Sequence, residues 1–200
     1  HRSGHSFPTR RSSDLTKMKL KPAPELTIAG WLNTTEPLSL SDLRGQIVLL
    51  EAFQMLCPGC VSHALPQARR VAEHFTAYGV AVIGLHSVFE HHQAQGSREA
   101  LAAFLHEYRI AFPVAMDAPG DAAGDRGGLP RTMAAYAMQG TPTTILIDRQ
   151  GRIRRHSFGA VTDLALGAAI GALLDEGDPG PAPAGIDPAL ACTPEGCPAP

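Results

Sequence analysis

The eight residues 46–53, QIVLLEAF, constrain the fold more than any other stretch of this chain. A continuous β-branched and leucine-rich run of that length reads as a strand buried on both faces, the kind found at the centre of a sheet covered by helices. The residues beyond it change period. Val61, Leu65, Ala68, Val71, Ala72 and Phe75 fall three and four apart across 61–78, which defines one face of a helix. Pro66 predicts a kink in that helix and Gly79 its end, with 80–89 (VAVIGLHSVF) as the next buried strand. A second helix is expected over 97–110, capped by Ser97 and apolar at Leu101, Phe104, Leu105 and Tyr108. FPVAMD then makes a short strand, and a glycine-rich loop leads to a third helical stretch over 132–138. TTILID and RIRRHSF form a hairpin across the turn 148–151, and 162–175 closes the chain as a helix. The order predicts an α/β protein: a central mixed sheet with a C-terminal antiparallel hairpin and helices on both faces.

The ends differ from this middle. Residues 1–15 (HRSGHSFPTRRSSDL) have neither helical nor strand periodicity and resemble translated adapter sequence, so 1–17 are set apart as disordered or artefactual and the folded domain is placed at 18–176. From Met18 onward no apolar leader region is visible, which favours a cytoplasmic location, with the periplasm as the alternative if a leader is missing. Residues 177–200 hold seven of the 17 prolines and read as a tail without a core. Within it, Cys192 and Cys197 are spaced to close a small disulfide, pass electrons to another pair or help bind a soft metal, and equally to be two idle thiols.

A hydrophobic content of 44% in 200 residues supports one globular domain. The 17 basic and 19 acidic residues leave a net charge of −2, too balanced for nucleic acid or an anionic membrane as main partner. No apolar run approaches the roughly 20 residues of a membrane span.

The chemistry sits in Cys57-Pro58-Gly59-Cys60, just past the first buried strand and at the opening of the first helix. The free N–H groups and positive dipole end of a helix start stabilise a thiolate on Cys57. Cys60, one turn later, points back within bonding distance and can resolve a mixed disulfide or close an oxidised pair. Zinc would need two further ligands at a consistent spacing, and apart from His63 none lies nearby.

Two longer stretches carry a family resemblance. PELTIAGWLNTTEPLSLSDLRGQIVLLEAFQMLCPGC and QGTPTTILIDRQGRI resemble the TlpA-like, redoxin-domain branch of the thioredoxin superfamily over about 22–174. The resemblance implies a thioredoxin-like fold and a thiol-disulfide oxidoreductase that uses Cys57 as nucleophile and Cys60 as resolving thiol. It implies that Pro142 is a cis-proline facing them, with Thr141 exposing backbone groups to a substrate strand. Glu51 stands where thioredoxin keeps a buried acid. In an apolar strand its pKa should rise, so that it can take the proton of Cys60; a strand-edge carboxylate reaching water is the alternative. Leu56 departs from the family, which has Trp before the first cysteine in its contact surface. Pro58 and Gly59 depart from the Gly-Pro of thioredoxin, which bears on redox poise.

The expected partner is a protein or small-molecule disulfide or dithiol, including a thioredoxin-type reductant, acting on a monomer without cofactor or resident metal. Two rivals are weighed. A peroxiredoxin-like thiol peroxidase would require a threonine three residues before Cys60 and a proline further upstream, where this chain has Cys57 and Phe53. A metal-binding module would gather His86, Glu90, His91 and His92 with the cysteines, although His91 and His92 read as loop residues.

Overall fold

The structure, a computed structural model, describes residues 20–121 and 128–177. The segments 1–17 and 178–200, and with them Cys192 and Cys197, lie outside the described residues.

QIVLLEAF forms β2 (Ile47–Phe53), and all seven of its residues are buried. The other strands are β1 (Ile28–Leu32), β3 (Val80–His86), β4 (Val114–Asp117), β5 (Thr143–Ile147) and β6 (Ile153–Phe158). They form one sheet in the order β1-β4-β3-β2-β5-β6. β2 runs parallel to β3, and β3 to β4, while β5 is antiparallel to β2 and β6 to β5. The helices are α1 (Leu65–Phe75), α2 (His92–Gln95), α3 (Arg98–Glu107), α4 (Arg131–Ala135) and α5 (Asp163–Asp175).

Because side chains alternate along a strand, β2 feeds two cores. Leu49 and Phe53 pack with Leu65, Ala68 and Val71 of α1, Leu101 and Leu105 of α3, and Leu166 and Ile170 of α5. Val48, Leu50 and Ala52 pack on the other face with Leu40, Leu43, Met133 and Tyr136. Each large side chain so buried contributes about 1.5–3 kcal/mol, which outweighs a single ladder hydrogen bond at about 1 kcal/mol and places β2 at the centre. Glu51 lies between Leu49 and Phe53 on the strand and therefore faces the first core. Among the described residues no helix is long and apolar enough to cross a membrane.

Several elements differ from the sequence expectation. The helix expected over 61–78 is composite: a π-helical turn at Cys60–Ala64, then α1, then a 3₁₀ turn at Thr76–Tyr78. Pro66 has no N–H for the carbonyl one turn back, and the wider π turn before it makes room for the ring, with the Leu65 N–H donating to the Cys60 carbonyl. The helical segment stops at Gly79, whose φ of 81° lies in the left-handed region. β3 ends at His86 rather than continuing to 89, because its partner β2 ends at Phe53, whose carbonyl takes the last ladder hydrogen bond from the Ser87 N–H at 3.1 Å. Tyr108 is not core: α3 stops at Glu107, and the tyrosine is 49% exposed, with its ring 4.4 Å from that of Phe104. The third helix, α4, is shorter than the expected 132–138 and starts one residue earlier, at Arg131.

β1 and α2 had no counterpart in the sequence reading. β1 is half-buried, carries Gly30 mid-strand, and is held by antiparallel pairing with β4. The residue before it, Thr27, is pinned to α4 by its N–H donating to Thr132 Oγ1 at 2.9 Å.

At the end of β4, Asp117 accepts from the N–H groups of Thr132 and Met133 at 2.8 and 3.0 Å and from Ser87 Oγ at 2.9 Å. One buried carboxylate thus caps α4 and ties it to the loop after β3. Asp117→Ala leaves these donors without their acceptor and is expected to cost roughly 2–4 kcal/mol. Urea unfolding measures this, and a loss under 1 kcal/mol would show that the cap is dispensable.

Candidate active site

β2 ends at Phe53 and the chain turns through Gln54, Met55 and Leu56 into the dithiol. The Cys57 N–H donates to the Gln54 carbonyl at 3.3 Å, and the Cys57 carbonyl accepts from the Val61 N–H at 3.1 Å. Helical backbone begins at Pro58. A proline at the first helical position loses nothing by lacking an N–H and brings the required φ. Cys57 consequently sits at the helix mouth, where its Sγ accepts from the Cys60 N–H at 3.3 Å.

The two thiols are free, and their sulfurs lie 2.6 Å apart. Their surroundings differ. Cys57 is partly exposed, whereas Cys60 is fully buried. Burial pushes the Cys60 thiol far above its ordinary pKa, and its hydrogen bond to Cys57 raises it further. Cys57 is the sulfur that solvent reaches, and Cys60 stands buried behind it.

Across from the helix mouth the Thr141–Pro142 peptide is cis, as expected. The Cys57 thiol points to the Thr141 carbonyl at 3.5 Å. Pro142 packs over Gly59, where a Cβ would meet its Cδ at 3.4 Å. Leu56 is 56% exposed, directly before Cys57. Phe158, which the sequence reading did not single out, pairs with Thr143 on β6 and is 54% exposed beside Gly140. Leu56, directly before Cys57, and Phe158, beside the Gly140 end of the segment that carries Pro142, are thus both exposed apolar side chains, and Pro58 is exposed as well.

Glu51 does not reach water: it is 1% exposed. Its Oε2 accepts from Thr144 Oγ1 at 2.8 Å, and Oε1 is buried with no hydrogen-bond partner among the described residues. Burial raises its pKa to about 8, against which the Thr144 bond works only weakly. Thr144 was legible only as part of a strand; its role depends on the register that sets it opposite Glu51.

The turn before Cys57 has a second support. Gln95 of α2 donates through Nε2 to Gln54 Oε1 at 2.8 Å and accepts through Oε1 from the Leu56 N–H at 3.2 Å. The metal-binding arrangement is not formed. His86 is buried at the end of β3, while Glu90, His91 and His92 are exposed, and among the described residues no three His, Cys, Asp or Glu side chains gather to hold an ion.

Comparison with known proteins agrees with this geometry. The sequence profile of the AhpC/TSA family matches residues 20–156. The chain belongs to the AhpC/TSA family. A solved thioredoxin-like superfamily protein superimposes on this AhpC/TSA chain with a TM-score of 0.74 and 55% identity, covering 80% of this chain and 99% of that one. A thiol-disulfide isomerase from Corynebacterium glutamicum is 50% identical with a TM-score of 0.71, covering 78% of this chain and 97% of that one. Protein DipZ of Mycobacterium bovis is 30% identical over 185 residues, 86% of this chain. The AhpC/TSA chain spans 25% of the length of that relative. Its fold is thioredoxin-like.

Proposed function

We propose that the chain is a thiol-disulfide oxidoreductase that exchanges disulfides with protein or small-molecule partners through Cys57 and Cys60. The observation that carries this reading is the asymmetry of the pair: an accessible sulfur at a helix start with a buried sulfur 2.6 Å behind it. The Cys57 thiolate attacks one sulfur of a partner disulfide, forming a mixed disulfide and releasing the other partner sulfur as a thiolate that takes up a proton. Cys60 gives its proton to the Glu51 carboxylate and attacks the Cys57 sulfur. The second partner thiol leaves, and Cys57 and Cys60 are joined as a disulfide. Two electrons have passed to the partner, and a thioredoxin-type dithiol returns the pair to its starting state.

Glu51 suits the proton step because a pKa of about 8 lies near the operating pH, so that both of its forms are populated there. Leu56, Pro58, Gly59, Thr141 and Pro142, with Phe158, form the docking surface: an apolar rim for the partner's side chains and the Thr141 carbonyl for its backbone. The 50% identity to a protein named as a thiol-disulfide isomerase supports the same reading.

Peroxide reduction is the rival within the family, and the position three residues before Cys60, where a peroxidatic turn needs a threonine hydroxyl, holds Cys57. With dithiothreitol as electron source, the protein is expected to accelerate insulin reduction in the absence of peroxide. Hydroperoxide should be consumed no faster than by dithiothreitol alone. Rapid peroxide turnover without insulin reduction would reverse the assignment.

A further inference from the structure

We infer that Gln95 is a positioning residue for the dithiol, clamping the turn before Cys57 and thereby setting the redox equilibrium of the Cys57–Cys60 pair. The inference rests on the disulfide-exchange reading given above.

α2 is four residues long, and its one buried residue is this glutamine, which is wholly inaccessible to solvent. A helix that short is not held by propensity, and this one has no apolar face to hold it by packing. An amide is costly to bury unless its polar atoms are paired. Gln95 meets that condition. Its Nε2 donates to Gln54 Oε1 at 2.8 Å and to the Glu90 carbonyl at 2.9 Å, and its Oε1 accepts from the Leu56 N–H at 3.2 Å. The amide has only one workable orientation: reversed, it would set NH₂ against the Leu56 N–H and oxygen against the Glu90 carbonyl.

Both residues it grips in the turn lead directly into Cys57, and the Gln54 carbonyl also accepts the Cys57 N–H. Gln54 is itself 1% exposed, so the clamp is buried on both sides. Ordering these backbone units in the dithiol state removes conformational freedom that closing the disulfide would otherwise have to remove. The effective concentration of one sulfur at the other is raised, and the disulfide is favoured.

The test replaces the amide by an apolar chain of similar length, Gln95→Met, and equilibrates variant and wild type against glutathione buffers of defined potential. Freeing about one backbone residue should lower the equilibrium constant for disulfide closure about tenfold, a rise of about 30 mV for this two-electron couple. An unchanged potential in a folded variant overturns the clamp. A second measurement needs no variant: in wild type the Leu56 amide should exchange its hydrogen as slowly as the central β2 amides, and exchange at the rate of an exposed loop overturns it equally. The disulfide-exchange reading fails separately, if wild type holds a measurable Cys57–Cys60 potential yet does not accelerate insulin reduction.

Discussion

Cys57→Ser is expected to abolish disulfide exchange, and Cys60→Ser to leave the first half of it running. The difference follows from burial: only the first sulfur is accessible, so its loss removes the group that makes the bond to the partner. Removal of a covalent nucleophile costs on the order of 10⁶-fold in other enzymes, and activity should fall to the buffer background. With Cys60 replaced, attack by Cys57 still forms the mixed disulfide, but no second sulfur stands 2.6 Å behind it to release the partner. The adduct should accumulate as one covalent partner per chain, visible on a non-reducing gel and lost on adding dithiothreitol. Trapping through Cys60 in the Cys57→Ser protein would contradict the assigned order of attack.

Glu51→Gln is expected to produce the second large effect, on stability and rate together. Burial holds the carboxyl pKa up at about 8 in the folded chain, against an ordinary 4.5 when it is exposed. Between those values the folded state holds a proton that the unfolded state has released, so stability falls as pH rises, by roughly 5 kcal/mol across the whole window. Buried His86 acts with the opposite sign: its pKa is lowered to about 4 from 6.5, so its effect raises stability over that interval and is complete by about pH 6.5. From 6.5 to 8 the glutamate, of these two groups, is the one that still titrates, with roughly 2 kcal/mol of decline. Urea unfolding at pH 6.5 and pH 8.5 should show this decline in wild type and little of it in the glutamine variant, which becomes the more stable protein at the higher pH. The variant also lacks the carboxylate proposed to take the proton of Cys60. Resolution of the mixed disulfide should slow on the order of 100-fold and lose the rise with pH toward 8 that is expected of wild type. Equal pH dependence of the two proteins, in stability and in rate, would remove Glu51 from the mechanism.

These effects depend on features that differ in how openly the sequence displays them. β2, α1, α3, α5 and the closing hairpin were legible because each is long enough for periodicity, capping and turn residues to agree. Ser97 and Thr162 accept from Ala100 and Ala165 as N-caps should. The Cys57–Cys60 pair was legible for the same reason: strand, turn and helix start are local, and they put the first sulfur at a helix mouth whatever packs around them. Carried by the family resemblance, Pro142 also appeared opposite the pair.

β1 and α2 could not be read in this way. The first is a half-buried edge with glycine in it, and the second is a single turn whose anchor is polar, so neither leaves an apolar period. The glutamate posed a different difficulty, since strand periodicity places its side chain on one face but does not say whether that face meets helices or water. Only the stacking of α1, α3 and α5 over that face sealed Glu51 from solvent, and only the β2–β5 register brought Thr144 to it. The cysteine motif at a helix start and the order of the main elements were readable from the amino acids alone, because both arise between residues close along the chain. The burial of Glu51 against Thr144, the exposure of Phe158 beside Gly140 and the Gln54–Gln95 hydrogen bond came only with the tertiary fold, because each joins residues far apart in sequence whose desolvation and pairing exist only once the layers have closed.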